Sequence, residues 1–289
     1  NSRIVPRQPA QTFAQAVQSL WFAHMINTWE DYINANSLGR LDQILYPYYK
    51  RDIENGTLTK GEAFELLCCL WLKLYRDYDV QQSCVGGADK EGNSAVNELS
   101  YLMLDVTEAL GFVRCLSVRY SPRTEKAFVQ RALEVVGHVQ KGIPFFFNDD
   151  VMVPALVSHG ICLEDARDYT QIGCVETVIP GKSNPHAVSG RCNFLRGMEY
   201  ALNNGCSMIN PELTPGLETG EPEGFKSFEQ LKEAVFKQVG NMLESTCERV
   251  KYWLKPAGRH DLRPYKSLLT QGCLESGRDF NERGAKYDY

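Results

Sequence analysis

Val80-Gln81-Gln82-Ser83-Cys84-Val85 is a strand-like run that closes on Gly86-Gly87, and what flanks it decides the class of the fold. Before it, Lys60 to Tyr78 repeats apolar residues at helical spacing. After it, the turn residues of Asp89-Lys90-Glu91-Gly92-Asn93 lead to a helical pattern from Ala95 to Leu110. Arg114 to Tyr120 then alternates as a strand, and Pro122-Arg123-Thr124 opens a helix that reaches Gln140. Ile143-Pro144-Phe145-Phe146-Phe147 is a short apolar strand, followed by helices from Asp150 to His159 and from Leu163 to Asp168. Short strands separated by helices predict an α/β fold with parallel strands, whose reactive groups belong on loops at strand ends.

Further out, Thr12-Phe13-Ala14-Gln15 reads as a capping box that opens a helix, and Arg40 to Tyr49 contains a short aromatic helix. Past Cys192 a helix is expected to stop at Asn204-Gly205. The run Asn210 to Gly224 is a Pro-, Gly- and Glu-rich surface excursion. Ser227-Phe228-Glu229-Gln230 is a second capping box at the head of a long helix reaching Leu254, and a last helix is expected over Pro264 to Leu274.

With 289 residues, a hydrophobic share of 43% and a charged share of 23%, this is an ordinary globular composition with material for a sizeable core. A net charge of −5 without any polybasic run argues against a nucleic-acid partner. Apolar stretches are broken by charge well short of the about 20 residues a bilayer span needs, and the N-terminus carries no signal-peptide pattern, so no membrane partner is expected. Ten cysteines without a Cys-x-x-Cys pair suit reduced thiols in the cytoplasm better than zinc or a disulfide framework, and no metal site is expected. Cys68-Cys69 lies in the apolar run Leu66 to Trp71 and reads as core. The chain starts without Met and ends on Lys286-Tyr287-Asp288-Tyr289, as a portion of something longer would.

Gly173-Cys174-Val175-Glu176 is called for by neither periodicity nor cap chemistry. On an extended backbone, Cys174 and Glu176 would point to one side and place a thiol and a carboxylate in one pocket. That combines a group able to give up a hydrogen atom with one able to move a proton. A free cysteine is more often a small buried hydrophobe, and both readings stand at the level of the tetrapeptide.

The same residues, followed by Pro180-Gly181-Lys182, resemble the thiyl-radical loop of the glycyl radical enzymes. The likeness is to the dehydratase and lyase branch of that pyruvate formate-lyase-like superfamily, which includes glycerol dehydratase, choline trimethylamine-lyase and hydroxyproline dehydratase. Ser37-Leu38-Gly39-Arg40-Leu41-Asp42-Gln43, Val85-Gly86-Gly87-Ala88, Asn97-Glu98-Leu99-Ser100-Tyr101, Asn203-Asn204-Gly205 and Phe280 to Tyr287 extend it over nearly the whole chain. The resemblance implies a ten-stranded α/β barrel with the cysteine loop inside it, of which residues 1–289 are the central part. No Arg-Val-x-Gly-Tyr-like motif is present, so the radical-bearing glycine domain is expected outside this chain.

What the resemblance implies for chemistry is a lyase in which Cys174 becomes a thiyl radical and abstracts hydrogen from substrate while Glu176 serves as general base or acid. No cofactor would be bound; a radical-SAM activating enzyme would be a partner, installing the protein glycyl radical, and a homodimer is the assembly its relatives suggest. Both residues would share a sealed, water-poor chamber. Arg191 falls where related enzymes place a pocket-wall residue, and an arginine there suits an anionic substrate. Ser37 and Asn34 lie on a loop that faces substrate in such enzymes, and Gln81 would line the barrel. His186 reads as a loop residue satisfied by backbone. The segment Asn184 to Arg191 lacks the carboxylate of the diol dehydratases, which disfavours glycerol or propanediol. The expected reaction is C–O cleavage on a small hydroxylated substrate. The alternatives are C–S cleavage of a hydroxysulfonate, decarboxylation, or a non-catalytic scaffold.

Overall fold

The computed structural model describes residues 3–31, 36–75, 81–111, 116–184, 190–210 and 212–288. They form two compact units, residues 1–185 with 263–289, and residues 186–262.

In the first unit the chain runs α1 (Phe13–Asp31), β1 (Gly39–Arg40), α2 (Leu41–Glu54), α3 (Lys60–Tyr75), β2 (Ser83–Gly86), α4 (Glu98–Leu110), β3 (Leu116–Tyr120), α5 (Lys126–Val139) and β4 (Phe145–Asn148). The strands form one parallel sheet in the order β1-β2-β3-β4. Parallel neighbours need a crossover, and every crossover here contains a helix. Strand order that follows chain order winds those helices onto one face, as in a barrel wall rather than a doubly wound sheet. The α/β reading and its parallel strands are thus realised.

Alternation along the strands sorts the two faces. Leu116, Val118 and Val85 join Leu41, Leu67, Leu70, Trp71, Met103 and Phe128 in the core between sheet and helices. Arg40, Cys84, Ser117 and Arg119 alternate with them and line the opposite face, all buried. Phe145 and Phe147 share that face and are only half-buried, so the triple-Phe run is split between the faces by its register.

Three sequence blocks of the resemblance meet at one joint. Asp42, wholly buried, accepts hydrogen bonds from the Gly86 amide at 2.7 Å and from the Ser100 hydroxyl at 2.5 Å. The Asn97 carboxamide donates to the Asp42 carbonyl and that of Gln43 to the Ala95 carbonyl. Asn97 also caps α4. Burial outweighs these bonds and raises the Asp42 carboxyl above its ordinary value.

Beyond β4 come α6 (Asp149–Ser158) and α7 (Leu163–Arg167), then an antiparallel hairpin of β5 (Thr170–Ile172) and β6 (Glu176–Val178). The chain returns through β7 (Ser183–Asn184). At the far end of the unit, α10 (Pro264–Leu268), α11 (Cys273–Ser276) and β8 (Tyr287–Asp288) follow, with β8 parallel to β7. Buried Asp165 accepts from Lys182 at 2.5 Å, Lys286 at 2.6 Å and the Tyr287 hydroxyl at 2.7 Å. Burial alone would raise this carboxyl; those bonds prevail and hold it well below the usual range.

The second unit pairs α8 (Phe194–Leu202) with α9 (Phe228–His260). A Cβ at Gly197 would come within 2.6 Å of Val239, so glycine sets how closely the helices meet. Ser227 caps α9, while Gln230 reaches back to the Lys226 amide, one residue beyond a strict capping box. Buried Gln238 holds the excursion by bonding the Leu217 amide and carbonyl.

Three sequence expectations change. The tail helix is two short helices with Thr270-Gln271-Gly272 between them, where Gly272 has φ +99. Cys69 is exposed, because the helical stripe of Leu67, Leu70 and Trp71 leaves it on the outer side of α3. The Cys174 segment, read as an irregular loop, is the turn of a regular hairpin.

Candidate active site

The hairpin is fixed at its base by two arginines from the non-helical face of the sheet. Arg119, fully buried, makes a bidentate pair with Asp149 and donates to the carbonyls of Tyr169 and Arg167, both at 2.8 Å. Its guanidinium lies 3.8 Å from the centroid of the Tyr169 ring, and the Tyr169 hydroxyl donates to Asp149 at 2.8 Å. Arg40 pairs with Asp168 at 3.0 Å and donates to the carbonyls of Gly86 and Ala88. Asp168 and Tyr169, which lead into β5, are therefore tied to the ends of β1, β2 and β3. Room for this comes from Gly87, where a Cβ would sit 2.7 Å from the Arg119 guanidinium carbon.

At the tip, Ile172 pairs with Glu176, and Gly173-Cys174-Val175 make the turn. Gly173 has φ +55, a left-handed value that suits glycine. The expected extended backbone is thus corrected: the chain reverses between Cys174 and Glu176, and i, i+2 alternation does not relate them. Both instead stand at the hairpin tip. Glu176 opens the return strand, and its carboxylate folds back to accept the Val175 amide at 3.1 Å, against the turn that carries the thiol.

Cys174 is exposed and Glu176 half-buried, so no sealed chamber surrounds them among the described residues. The described strands of the main sheet are four, with open edges at β1 and β4, and no cylinder closes over the hairpin. The other thiol on this face, Cys84, is buried among strand backbones, and burial pushes its pKa up to about 12.

The remaining candidates separate. The Ser37 oxygen accepts the amides of Gly173 at 3.1 Å and Gln82 at 3.0 Å, so this residue adjoins the cysteine turn. Gln81 bonds His24 of α1 at 2.9 Å, a partner in the helical layer. Arg191 is an exposed residue of the second unit. Asn34 and His186 lie outside the described residues. Gln82 was not singled out in the sequence, yet its side chain donates to the Cys174 carbonyl at 2.7 Å; strand alternation from Cys84 was the signal that put it on this face. A cavity of about 310 Å³ lined by Glu221, Phe225, Glu233 and Lys237 belongs to the second unit and gathers none of these residues. No cluster of metal-ligating side chains occurs among the described residues, and none of their helices is long and apolar enough to cross a membrane.

Comparison with known proteins places this arrangement. The chain is 34% identical to trans-4-hydroxy-L-proline dehydratase of Clostridioides difficile, over 99% of this chain and 38% of the relative. The solved structure of that dehydratase with trans-4-hydroxy-L-proline bound superposes with a TM-score of 0.90 over 99% of this chain and 38% of that one. Isethionate sulfite-lyase of Oleidesulfovibrio alaskensis is 30% identical over 96% of this chain and 36% of the relative. A glycyl radical enzyme structure from Archaeoglobus fulgidus matches with a TM-score of 0.89 and 31% identity over 99% of this chain and 38% of that one. The chain thus spans little more than a third of the length of these relatives, and its four-stranded sheet is part of a glycyl radical enzyme barrel. The family model described as pyruvate formate lyase-like matches residues 1–289, and the chain belongs to that family.

Proposed function

We propose that the enzyme carrying this chain is a glycyl radical lyase of the dehydratase type, with Cys174 as hydrogen-atom carrier and Glu176 as general base. The observation that carries the reading is the hairpin tip, where an accessible thiol and a carboxylate folded onto the same turn stand on a rigidly anchored base. A protein glycyl radical, borne outside this chain and installed by a radical-SAM activating enzyme, supplies the one-electron equivalent that takes the thiol hydrogen. Cys174 then removes a hydrogen atom from a hydroxyl-bearing carbon of the substrate. Glu176 takes the hydroxyl proton as the neighbouring C–O bond breaks, and passes it to the leaving hydroxyl, which departs with the bonding pair as water and leaves Glu176 ionised again. The product-side carbon radical recovers a hydrogen atom from the Cys174 thiol. The substrate loses water and no net electrons.

Similarity to the sulfite-lyase supports a second reading, in which the same steps expel sulfite from a hydroxysulfonate. Arg191, Ser37, Asn34 and Gln81 stand as substrate-contact proposals from the family likeness. The positions of Ser37 at the turn and of Gln81 against His24 favour Ser37 over Gln81. The many free cysteines suit a reducing cytoplasm, and a homodimer is the proposed assembly.

Anaerobic turnover of the activated full-length protein on hydroxyprolines, diols and hydroxysulfonates tests this function. Dehydration of one class supports the leading reading, and sulfite release supports the second. Absence of lyase turnover on every class, with the glycyl radical present by EPR, would overturn it.

A further inference from the structure

We infer that Ser37 and Gln82 form a two-point brace that positions the Cys174 thiol, a role that rests on the function proposed above. The Ser37 oxygen accepts the Gly173 amide at 3.1 Å, fixing the Ile172–Gly173 peptide at the entry to the turn. The Gln82 carboxamide donates to the Cys174 carbonyl at 2.7 Å, fixing the peptide after it. The Gly173-Cys174 pair is thus held at both ends by immobilised peptide units. The brace is itself joined: the Gln82 amide donates to the Ser37 oxygen at 3.0 Å, and the Leu38 amide donates to the Gln82 carbonyl at 3.0 Å. Gln82 is fully buried, immediately before β2, and β2 lies in the interior of the sheet between β1 and β3. The turn is therefore referred to the rigid sheet rather than to its own two three-residue strands, which are too short to hold a fixed geometry by themselves.

This matters because hydrogen-atom transfer is short-ranged. The one sulfur must meet a donor on one side and a substrate carbon on the other, and a displacement of about 1 Å costs on the order of 100-fold in rate. Neither brace residue needs to touch substrate to exert that effect. The brace also gives Gln82 a reason to be an amide: its carboxamide N–H reaches from the edge of β2 to the Cys174 carbonyl.

The tests are Gln82→Met, which keeps volume and removes the donor, and Ser37→Ala, with Ser37→Thr as the conservative variant. In the chain itself, hydrogen exchange of the Gly173 amide should speed up at least about 10-fold in Ser37→Ala and stay slow in Ser37→Thr, as expected for a lost hydrogen bond. In the activated full-length enzyme, kcat should fall about 10- to 100-fold in Gln82→Met with KM within about threefold; it should fall as far in Ser37→Ala, where KM can also rise because Ser37 is a proposed substrate contact, and Ser37→Thr should recover most of the kcat. The glycyl radical signal should stay at the wild-type level. Wild-type kcat in both variants, or loss expressed only in KM, would overturn the brace even while a dead Cys174→Ala variant upholds the proposed function. Full turnover by Cys174→Ala would instead overturn the function, and the brace with it.

Discussion

Arg119 and Asp149 meet as a fork on a carboxylate, Nε to Oδ1 and Nη2 to Oδ2, both at 2.9 Å, and neither side chain is more than marginally exposed. The pair fixes Tyr169 through its ring, its hydroxyl and its carbonyl, and so fixes where the cysteine hairpin begins. Losing one member would strand a charge in the interior. Asp149→Ala should therefore lower stability by about 3–5 kcal/mol in a denaturant titration. A loss under about 1 kcal/mol would mean that Arg119 finds other solvation and that the pair is not the anchor described.

Gly87 makes room for that guanidinium. It has φ +83, and an added Cβ would lie 2.7 Å from both Nε and Cζ of Arg119. Gly87→Ala combines backbone strain with a clash against a buried, fully bonded group, and should cost about 2–4 kcal/mol. An alanine variant melting within a degree of the parent would contradict the packing at this joint.

Thiol accessibility divides the cysteines. Cys69, Cys162, Cys174 and Cys247 are exposed, whereas Cys84 is buried with its pKa pushed up to about 12 by burial. Brief alkylation of the native chain at pH 8, read by peptide mass spectrometry, should label these four exposed residues and leave Cys84 unmodified until the protein unfolds. Early labelling of Cys84 would contradict its place in the sheet.

Acid sensitivity has an identifiable contributor on the outer face. Hydrogen bonds from Arg131, and next from His138, lower the Glu108 pKa from 4.5 to about 2. Because the folded-state value is depressed, the stabilisation is present above the unfolded value and is lost as pH falls from about 4.5 through about 2. Glu108→Gln should cost about 1 kcal/mol at neutral pH, the scale of a surface network, and the gap to the parent should narrow across that acid window. A gap that stays constant with pH would rule out the ionised carboxylate as its source.

Much of this architecture is written locally. The alternation of Leu116 to Tyr120, the caps at Asn97 and Ser227 and the glycines after Val85 each determine their own element, and the structure follows them. The hairpin around Cys174 was hidden because its strands are three residues long and flank a glycine, too short for period-two alternation to stand out. Thr170-Gln171-Ile172 and Glu176-Thr177-Val178 do hold the β-branched residues that would have marked it. The bond of Ser37 to Gly173 was illegible for another reason: it spans 136 residues and goes to a main-chain amide, which no side-chain pattern records. Gln81 is the residue expected to line the barrel, but Gln82 is the one that shares strand parity with Cys84 and reaches the hairpin.

The claim on which the rest depends is that the Cys174 sulfur carries the hydrogen atom. Cys174→Ala in the activated full-length enzyme measures it directly, by EPR quantitation of the glycyl radical alongside anaerobic turnover of the substrate that the parent consumes. The account predicts a radical signal at the parent level with no turnover above the uncatalysed background. Turnover at the parent rate in the alanine variant would contradict it.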